Sequence, residues 1–153
     1  RPRGRPRSPL VTADRVLFAR IAGGAIRVED SADAVRADDA GAVVTFEGVV
    51  RDHDDGKGVL WLDYSAHPAA RQAIMQVALD VSARYPDVRI AVEHRIGRLG
   101  IGDVALTCAV SSAHRADAFA ACGLLVDEVK QRVPIWKQQA FDDGTSEWVA
   151  SLG

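Results

Sequence analysis

The sequence predicts an α+β fold in which two long helices pack on a largely antiparallel sheet. Short apolar runs rich in Val, Ile, Phe and Thr alternate with two long segments whose apolar residues recur every three or four positions. From residue 41 onward the predicted order is strand, strand, helix, strand, strand, helix and hairpin. This order is typical of domains in which helices cover a sheet of antiparallel strands.

The N-terminal elements are expected to be short. Residues 15–21 combine Val, Leu, Phe and Ile and predict a strand, which the glycine pair at 23–24 ends. A helix should then run to about Ala37. Asp30 or Ser31 is the expected N-cap, because either side chain can accept a hydrogen bond from the first helical N–H groups.

A hairpin is expected next. Residues 41–51 form a long run of Val, Thr and Phe, and residues 59–66 alternate apolar side chains with others. The segment between them, residues 52–58, is polar and contains two glycines, as connecting turns often do. We therefore expect the second strand to pair back against the first.

The first long helix is expected from Pro68 to about Tyr85, since proline suits the first helical turn. Strands at residues 88–93 and 103–111 follow, separated by a glycine-punctuated turn at 97–102. The apolar face of this helix, spaced by three and four, is Ala70, Ile74, Val77 and Val81.

The second long helix is expected from His114 to Arg132. It should end by Val133, because Pro134 disfavours the helical conformation of the residue before it. Its expected buried face is Phe119, Cys122, Val126 and Val129.

The chain is expected to close with a hairpin in which residues 135–141 and 147–149 flank the turn sequence at 142–144. We interpret residues 13–153 as a single domain. The residues before it, 1–12, alternate Arg with Pro and Gly and are interpreted as a disordered basic arm.

Charge and hydropathy narrow the class of protein. The 153 residues carry 19 basic and 21 acidic side chains, and the arm holds four of the arginines, which leaves 15 basic against 21 acidic. An acidic domain argues against nucleic-acid binding, while the arm leaves polyanion binding open, to be tested by deleting residues 1–8. We expect a cytoplasmic protein, since no apolar run approaches about 20 residues and no signal-peptide pattern is found.

The two cysteines indicate neither a disulfide framework nor a zinc site. Cys108 lies in an apolar strand pattern and Cys122 on the apolar face of a helix, so both are expected to be small buried hydrophobes. The four histidines have no spacing that indicates a metal triad, and we expect no metal and no cofactor.

The best candidates for chemistry are Lys130 and Lys137. Lys130 stands near the end of the second long helix, and Lys137 in the strand after Pro134. Their ammonium groups then flank a chain reversal and can converge on one pocket, where they would serve an anionic substrate or a carboxyl-derived group. Two solvated surface lysines are the alternative.

Three further cationic or polar residues are candidates for anion binding. His114 and Arg115 stand at a strand-to-helix junction, where free N–H groups and the helix dipole favour anions. Arg51 ends a strand. Exposed cations without a ligand are the alternative for all three. His94 and Arg95 either brace a turn or contact substrate.

Five segments together resemble the large, catalytic subunit of molybdopterin synthase. They occur in the order of that family and cover roughly Ala13 to Val149. The segments are residues 41–51 (Gly-Ala-Val-Val-Thr-Phe-Glu-Gly-Val-Val-Arg), 94–97 (His-Arg-Ile-Gly), 111–115 (Ser-Ser-Ala-His-Arg) with 118–119 (Ala-Phe), 133–137 (Val-Pro-Ile-Trp-Lys), and 143–144 (Asp-Gly) before 148–149 (Trp-Val).

The resemblance implies an α/β-hammerhead type fold and a homodimer within a heterotetramer. It implies a sulfurtransferase that takes sulfur from the C-terminal Gly-Gly thiocarboxylate of a ubiquitin-like small subunit. The acceptor is cyclic pyranopterin monophosphate, which becomes the molybdopterin dithiolene of molybdenum cofactor biosynthesis. By the same resemblance Lys130 and Lys137 are catalytic, and Arg51, His114 and Arg115 bind the pterin and its phosphate.

The sequence departs from the family pattern near these residues. Gln139 stands where the family usually has Glu, so a carboxylate partner for a lysine is expected to be missing. The family's Tyr-Glu-Ala-Tyr is Tyr-Ser-Ala-His at residues 64–67. These departures motivate an alternative, a non-catalytic module of the same fold that still docks the small subunit. An assay of sulfur transfer separates the two.

Overall fold

The structure is a computed structural model and describes residues 15–150. The elements of this range are β1 (Val16–Ala22), α1 (Val28–Val35), β2 (Ala42–Val49), β3 (His53–Asp54), β4 (Lys57–Ala66), α2 (Ala70–Arg84), β5 (Arg89–Arg95), β6 (Gly97–Leu99), β7 (Val104–Ser112), α3 (Arg115–Arg132), β8 (Ile135–Phe141) and β9 (Ser146–Ala150). The predicted basic arm, residues 1–12, lies outside the described residues.

The first sheet has the strand order β1-β5-β7-β2. Strand β1 runs parallel to β5, and the other two pairs are antiparallel. Both faces are covered, because α1 contacts β2, β5 and β7 while α2 and α3 contact the sheet elsewhere. Alternate residues of the central strands accordingly join different cores, Ala91 and Ala109 with Val35, and Ile90 and Val110 with the main core.

The second sheet has the order β3-β4-β8-β9, with β6 also paired to β4. All of its pairs are antiparallel. The predicted closing hairpin is present as β8 and β9. The α+β prediction with mostly antiparallel strands is confirmed, but the strands form two sheets, and one pair is parallel.

The expected pairing of residues 41–51 with residues 59–66 is wrong. Strand β2 pairs along its length with β7, and β4 pairs with β8. A two-residue ladder, in which His53 lies opposite Gly58, is all that β4 forms with the segment following β2. An alternating pattern specifies the face that a strand buries and not its partner, which explains the error.

Two smaller predictions are also corrected. Helix α1 begins after Arg27 and ends at Val35, so Asp30 and Ser31 lie inside it and do not cap it. The Ser31 hydroxyl is instead buried 2.9 Å from the Thr107 hydroxyl of β7, where it joins the helix to the sheet. Part of the expected turn at residues 97–102 is strand β6.

Helix α3 is present, but its buried face is rotated relative to the prediction. Phe119 is 62% exposed, whereas Cys122 and Val129 are buried as expected. The buried positions of the helix are Ala118, Ala121, Cys122, Leu125 and Val129. Small alanines bring the helix close to the sheet, and the neighbouring Phe119 points away from it. The helix ends at Arg132, and Val133 before Pro134 is extended, as predicted.

Helix α2 buries the four predicted residues of its apolar face. Cys108 and Cys122 are buried and unpaired, which confirms their interpretation as small hydrophobes. None of the helices within residues 15–150 is long and apolar enough to cross a membrane.

Candidate functional site

A cavity of about 420 Å³ opens between the end of β2, strands β3, β4 and β8 and the last turn of α3. Residues of β5 and β7 also line it. Its apolar wall includes Phe46, Val59, Leu62, Leu106, Val133 and Ile135. Its charged and polar side chains are Glu47, Arg51, His53, Asp54, Tyr64, His94, Lys130, Lys137 and Gln139.

Lys130 and Lys137 line this same cavity. Lys130 is exposed in the last turn of α3, and the chain then reverses through Val133 and Pro134 into β8. The helix stop forced by Pro134 therefore places the two lysines on adjoining walls. The sequence pattern predicted that these two lysines, seven residues apart in the chain, converge on one pocket.

Lys137 is half-buried on the inward face of β8, opposite Tyr64 of β4. Burial lowers the pKa of Lys137, and the carboxylate of Asp54 acts against this by stabilising the ammonium. The nearby positive charges of Lys130 and Arg51 lower the pKa further. A half-buried lysine with several charged neighbours is a typical site of proton control.

Arg51 lies two residues after the end of β2 and lines the cavity. Its Nη2 lies 3.3 Å from Oδ1 of Asp54, with the Arg51 side chain 71% exposed. The guanidinium therefore keeps most of its donors free for an anion. The pKa of Asp54 is lowered, chiefly by a hydrogen bond from Gln139 and less by the charges of Lys137 and Arg51.

Gln139 is buried two residues after Lys137, on the same face of β8. Its Nε2 donates to Oδ2 of Asp54 and to Oε1 of Glu147, each at 2.8 Å. The carboxylates of Asp54 and Glu147 raise the pKa of Lys137 through their charge, so acidic groups act on this lysine although position 139 is an amide. The acidic groups come from β3 and β9 rather than from position 139.

His94 contributes a buried imidazole to the cavity. Burial lowers the pKa of His94 to about 4, and the charge of Lys130 adds to this effect. The ring is therefore neutral at pH 7, and Nδ1 donates to the carbonyl oxygen of Arg95 at 2.7 Å. His94 therefore both braces the turn through this hydrogen bond and lines the cavity, so the structure is compatible with either alternative.

His114 and Arg115 do not line the cavity that holds the lysines. Both are exposed at the N-terminus of α3, whereas Lys130 lies in its last turn. The rise of about 1.5 Å per residue puts the backbones of Arg115 and Lys130 roughly 22 Å apart. Within one chain, the two groups of candidate residues are therefore separate.

Other reactive groups are unsuited to catalysis here. Burial raises the pKa of Cys122 to about 11 and that of Cys108 well above its usual range, so neither provides a thiolate at neutral pH. Among residues 15–150, no group of three or more His, Cys, Asp or Glu side chains is arranged to hold a metal ion.

Sequence reasoning missed Asp54 and Tyr64 as cavity residues and noted Gln139 only as a departure. Gln139 carried a usable signal, since strand alternation places it on the same side as Lys137. No comparable signal in the sequence marked Asp54, because it lies in a polar segment. Its hydrogen-bond partner Gln139 is 85 residues away in the sequence.

The MoaE protein family model matches residues 21–132 of the chain. The molybdopterin synthase catalytic subunit of a Nostoc species is 43% identical over 118 residues, which is 74% of this chain and 72% of that protein. The same subunit of Halalkalibacterium halodurans is 42% identical over 125 residues, covering 81% and 80% of the two chains.

Solved structures agree with the sequence comparisons. The structure of molybdopterin synthase from Staphylococcus aureus superposes with a TM-score of 0.81 at 34% identity, covering 86% of this chain and 96% of that one. Molybdopterin cofactor biosynthesis protein E from Burkholderia multivorans gives a TM-score of 0.74 at 29% identity, covering 90% and 88%. The family match over most of the chain, together with these relatives, shows that the chain belongs to the MoaE family of molybdopterin synthase catalytic subunits.

Proposed function

We propose that this chain is the catalytic subunit of a molybdopterin synthase, a sulfurtransferase of molybdenum cofactor biosynthesis. It transfers sulfur from the C-terminal thiocarboxylate of a ubiquitin-like small subunit to cyclic pyranopterin monophosphate. The supporting observation is the cavity in which Lys130, Lys137 and Arg51 surround an apolar wall. A flat pterin fits such a wall, while its phosphate and the thiocarboxylate both call for cations.

The two lysines have different tasks in this proposal. Lys130 is exposed where the tail of the small subunit enters, and Lys137 is half-buried deeper in the cavity. Both stabilise negative charge that develops as sulfur leaves the acyl group and oxygen leaves the pterin. Because sulfur arrives on the small subunit, the reaction needs no nucleophilic cysteine from this chain.

Arg51 is proposed to bind the phosphate from within the same chain. His114 and Arg115 are also proposed to bind substrate, and their distance from Lys130 means that they do so in the cavity of a second copy. Phe119 supports this arrangement, because it is exposed one helical turn after Arg115 and marks a surface that a second copy can cover. A homodimer bearing two small subunits, a heterotetramer, follows.

The experiment that tests the function combines the purified chain, a thiocarboxylated small subunit and the pterin monophosphate. We expect dithiolene product. Binding of the small subunit without product would favour the alternative, a non-catalytic docking module. Two observations argue against that alternative: Ser65 and His67 are exposed, and the charge of Asp54 raises the pKa of Lys137.

We also propose that the protein acts in the cytoplasm. Its two buried, unpaired cysteines suit a reducing compartment, where structural disulfides are rare. The basic arm at residues 1–12 and its polyanion-binding alternative stay predictions.

A further inference from the structure

The cationic cavity holds a linked set of polar side chains whose centre is a neutral amide. Gln139 is 3% exposed, and its single amide nitrogen donates to two carboxylates, those of Asp54 and Glu147. An amide nitrogen has two hydrogens, so both donors are used. A glutamate at this position would have no hydrogen to offer and would add a third negative charge.

Asp54 is held from both sides. Its Oδ2 accepts from Gln139 at 2.8 Å, and its Oδ1 lies 3.3 Å from Nη2 of Arg51. The backbone of Asp54 belongs to a ladder of only two residue pairs, opposite Lys57 and Gly58. Such a short ladder constrains a side chain weakly, so the two side-chain bonds fix where the carboxylate points.

We infer that Asp54 is the counter-ion of the Lys137 ammonium and that Gln139 is the positioning residue that holds Asp54 toward it. The catalytic consequence of this inference rests on the proposed function. The electrostatic part concerns the free protein alone. It explains how a chain with Gln at position 139 brings the charge of a carboxylate to act on its half-buried lysine.

The charges that act on Lys137 come from β3, β9, α3 and the segment after β2. Asp54 and Glu147 stabilise its ammonium, while Lys130 and Arg51 act against it. The other titratable groups of the cavity are Glu47, His53, Tyr64 and His94. Among the charged neighbours, Asp54 has the largest effect on the pKa of Lys137, so removing its charge should lower that pKa.

The chain offers a direct measurement, because it contains just three lysines, Lys57, Lys130 and Lys137. NMR of protein labelled with ¹³C at the lysine Cε atoms then resolves each ammonium, and Lys137→Arg identifies its signal. We expect Asp54→Asn to lower the pKa of Lys137 by about 0.5 to 1 unit, as removal of one nearby charge does at an intermediate dielectric.

Two variants test the positioning role. Gln139→Met keeps the side-chain length but loses the amide, and should lower the pKa of Lys137 in the same direction by a smaller amount. The double variant Asp54→Asn, Gln139→Glu exchanges acid and amide, and should return the pKa toward its wild-type value. Melting temperature is recorded beside each titration, since a merely structural amide would change stability and leave the Lys137 titration in place.

Asp63→Asn is the matched control. Asp63 is on β4 beside Tyr64 but lies 3.9 Å from Arg98, away from the cavity, so the Lys137 titration should not move. An unchanged Lys137 pKa in Asp54→Asn overturns the inference. If that variant does not fold, failure of the exchanged double variant to match wild type overturns it equally.

Single-turnover sulfur transfer separates this inference from the proposed function. With Asp54→Asn, we expect the basic limb of the pH–rate profile to move to lower pH by the shift seen in NMR. A wild-type chain without sulfur transfer, whose Lys137 still responds to Asp54→Asn, would refute the function and keep the counter-ion. An active chain with an unresponsive Lys137 would do the reverse.

Discussion

At the scale of the residue, Lys130 and Lys137 carry the same charge in different surroundings. Lys130 is exposed at the end of α3, and Lys137 is half-buried in β8. The exposed lysine is accessible to a ligand, while the pKa of the half-buried one is set by burial and by its charged neighbours. Two positions seven residues apart therefore offer different chemistry within one cavity.

Lys130→Ala should remove most product formation while the fold is kept. An exposed substitution of this kind changes the free energy of unfolding by under about 0.5 kcal/mol. Loss of one preorganised charge at the reacting atoms typically lowers the rate about 100- to 1000-fold. Lys130→Arg should also be impaired, because a planar guanidinium does not replace a compact ammonium. Single-turnover product formation measures the effect.

Melting temperature and small-subunit affinity are the controls for Lys130→Ala. Affinity should fall far less than rate, because docking of a protein partner is spread over many contacts. Near-normal turnover would contradict the catalytic assignment of Lys130. A large fall in melting temperature would show instead that the lysine is structural.

His94 gives the protein a specific sensitivity to acid. The pKa of His94 in the folded chain is about 4, below the usual value of 6.5. Between these two pH values the unfolded chain therefore binds a proton at His94 and the folded chain does not. The stability that depends on neutral His94 is complete above pH 6.5 and is lost as pH falls toward 4, by about 3 kcal/mol. Urea unfolding of wild type and His94→Gln should show a shallower loss in the variant over this window.

Equal slopes for the two proteins between pH 6.5 and 4 would contradict the assignment of this sensitivity to His94.

At the scale of the element, α3 shows how a helix is predicted more easily than its face. Leu125 is completely buried, although the predicted stripe omitted it, and Phe119 is exposed, although the stripe included it. Both residues are large and apolar, and the spacing of apolar residues around the helix permits either orientation. Contact with β2 and β7 decides between them.

Leu125→Ala should destabilise the protein by about 2 to 5 kcal/mol, since it leaves a cavity under the helix. Phe119→Ala should change the unfolding free energy of the isolated chain by under about 0.5 kcal/mol. Denaturant unfolding at low protein concentration, where a second copy does not cover Phe119, compares the two. A larger cost at Phe119 than at Leu125 would contradict the observed face.

At the scale of the whole molecule, the separation of Arg115 from Lys130 makes a prediction about assembly. Lys130→Ala and Arg115→Ala should each be inactive alone. Mixing and re-equilibrating the two should restore about a quarter of wild-type activity, because half of the dimers are mixed and each has one intact site of two in a symmetric pair.

Two observations check this complementation. Light scattering should show a dimer at micromolar concentration before the small subunit is added. A mixture of Lys130→Ala with Lys137→Ala should not recover, because both residues line one chain's cavity and a mixed dimer contains no intact site. Recovery in neither mixture would contradict the contribution of Arg115 to the cavity of a second copy.

Local sequence patterns were enough to predict most of the elements and the position of the two lysines. The stop at Pro134 and the strand after it are local effects, so Lys130 and Lys137 meet across a reversal that needs no distant contact. The helical face of α2 and the burial of both cysteines follow in the same way from spacing and composition. Family membership could also be predicted from the sequence, because it rests on the order of short motifs.

Contacts between distant segments determine which strands pair, which side of α3 is buried and where the carboxylates of the cavity come from. Strand β4 pairs with β8 and not β2, and Asp54 reaches Gln139 across 85 residues. These outcomes depend on contacts between segments far apart in the chain. Periodicity records the exposure of a residue, and it does not record which distant residue covers it.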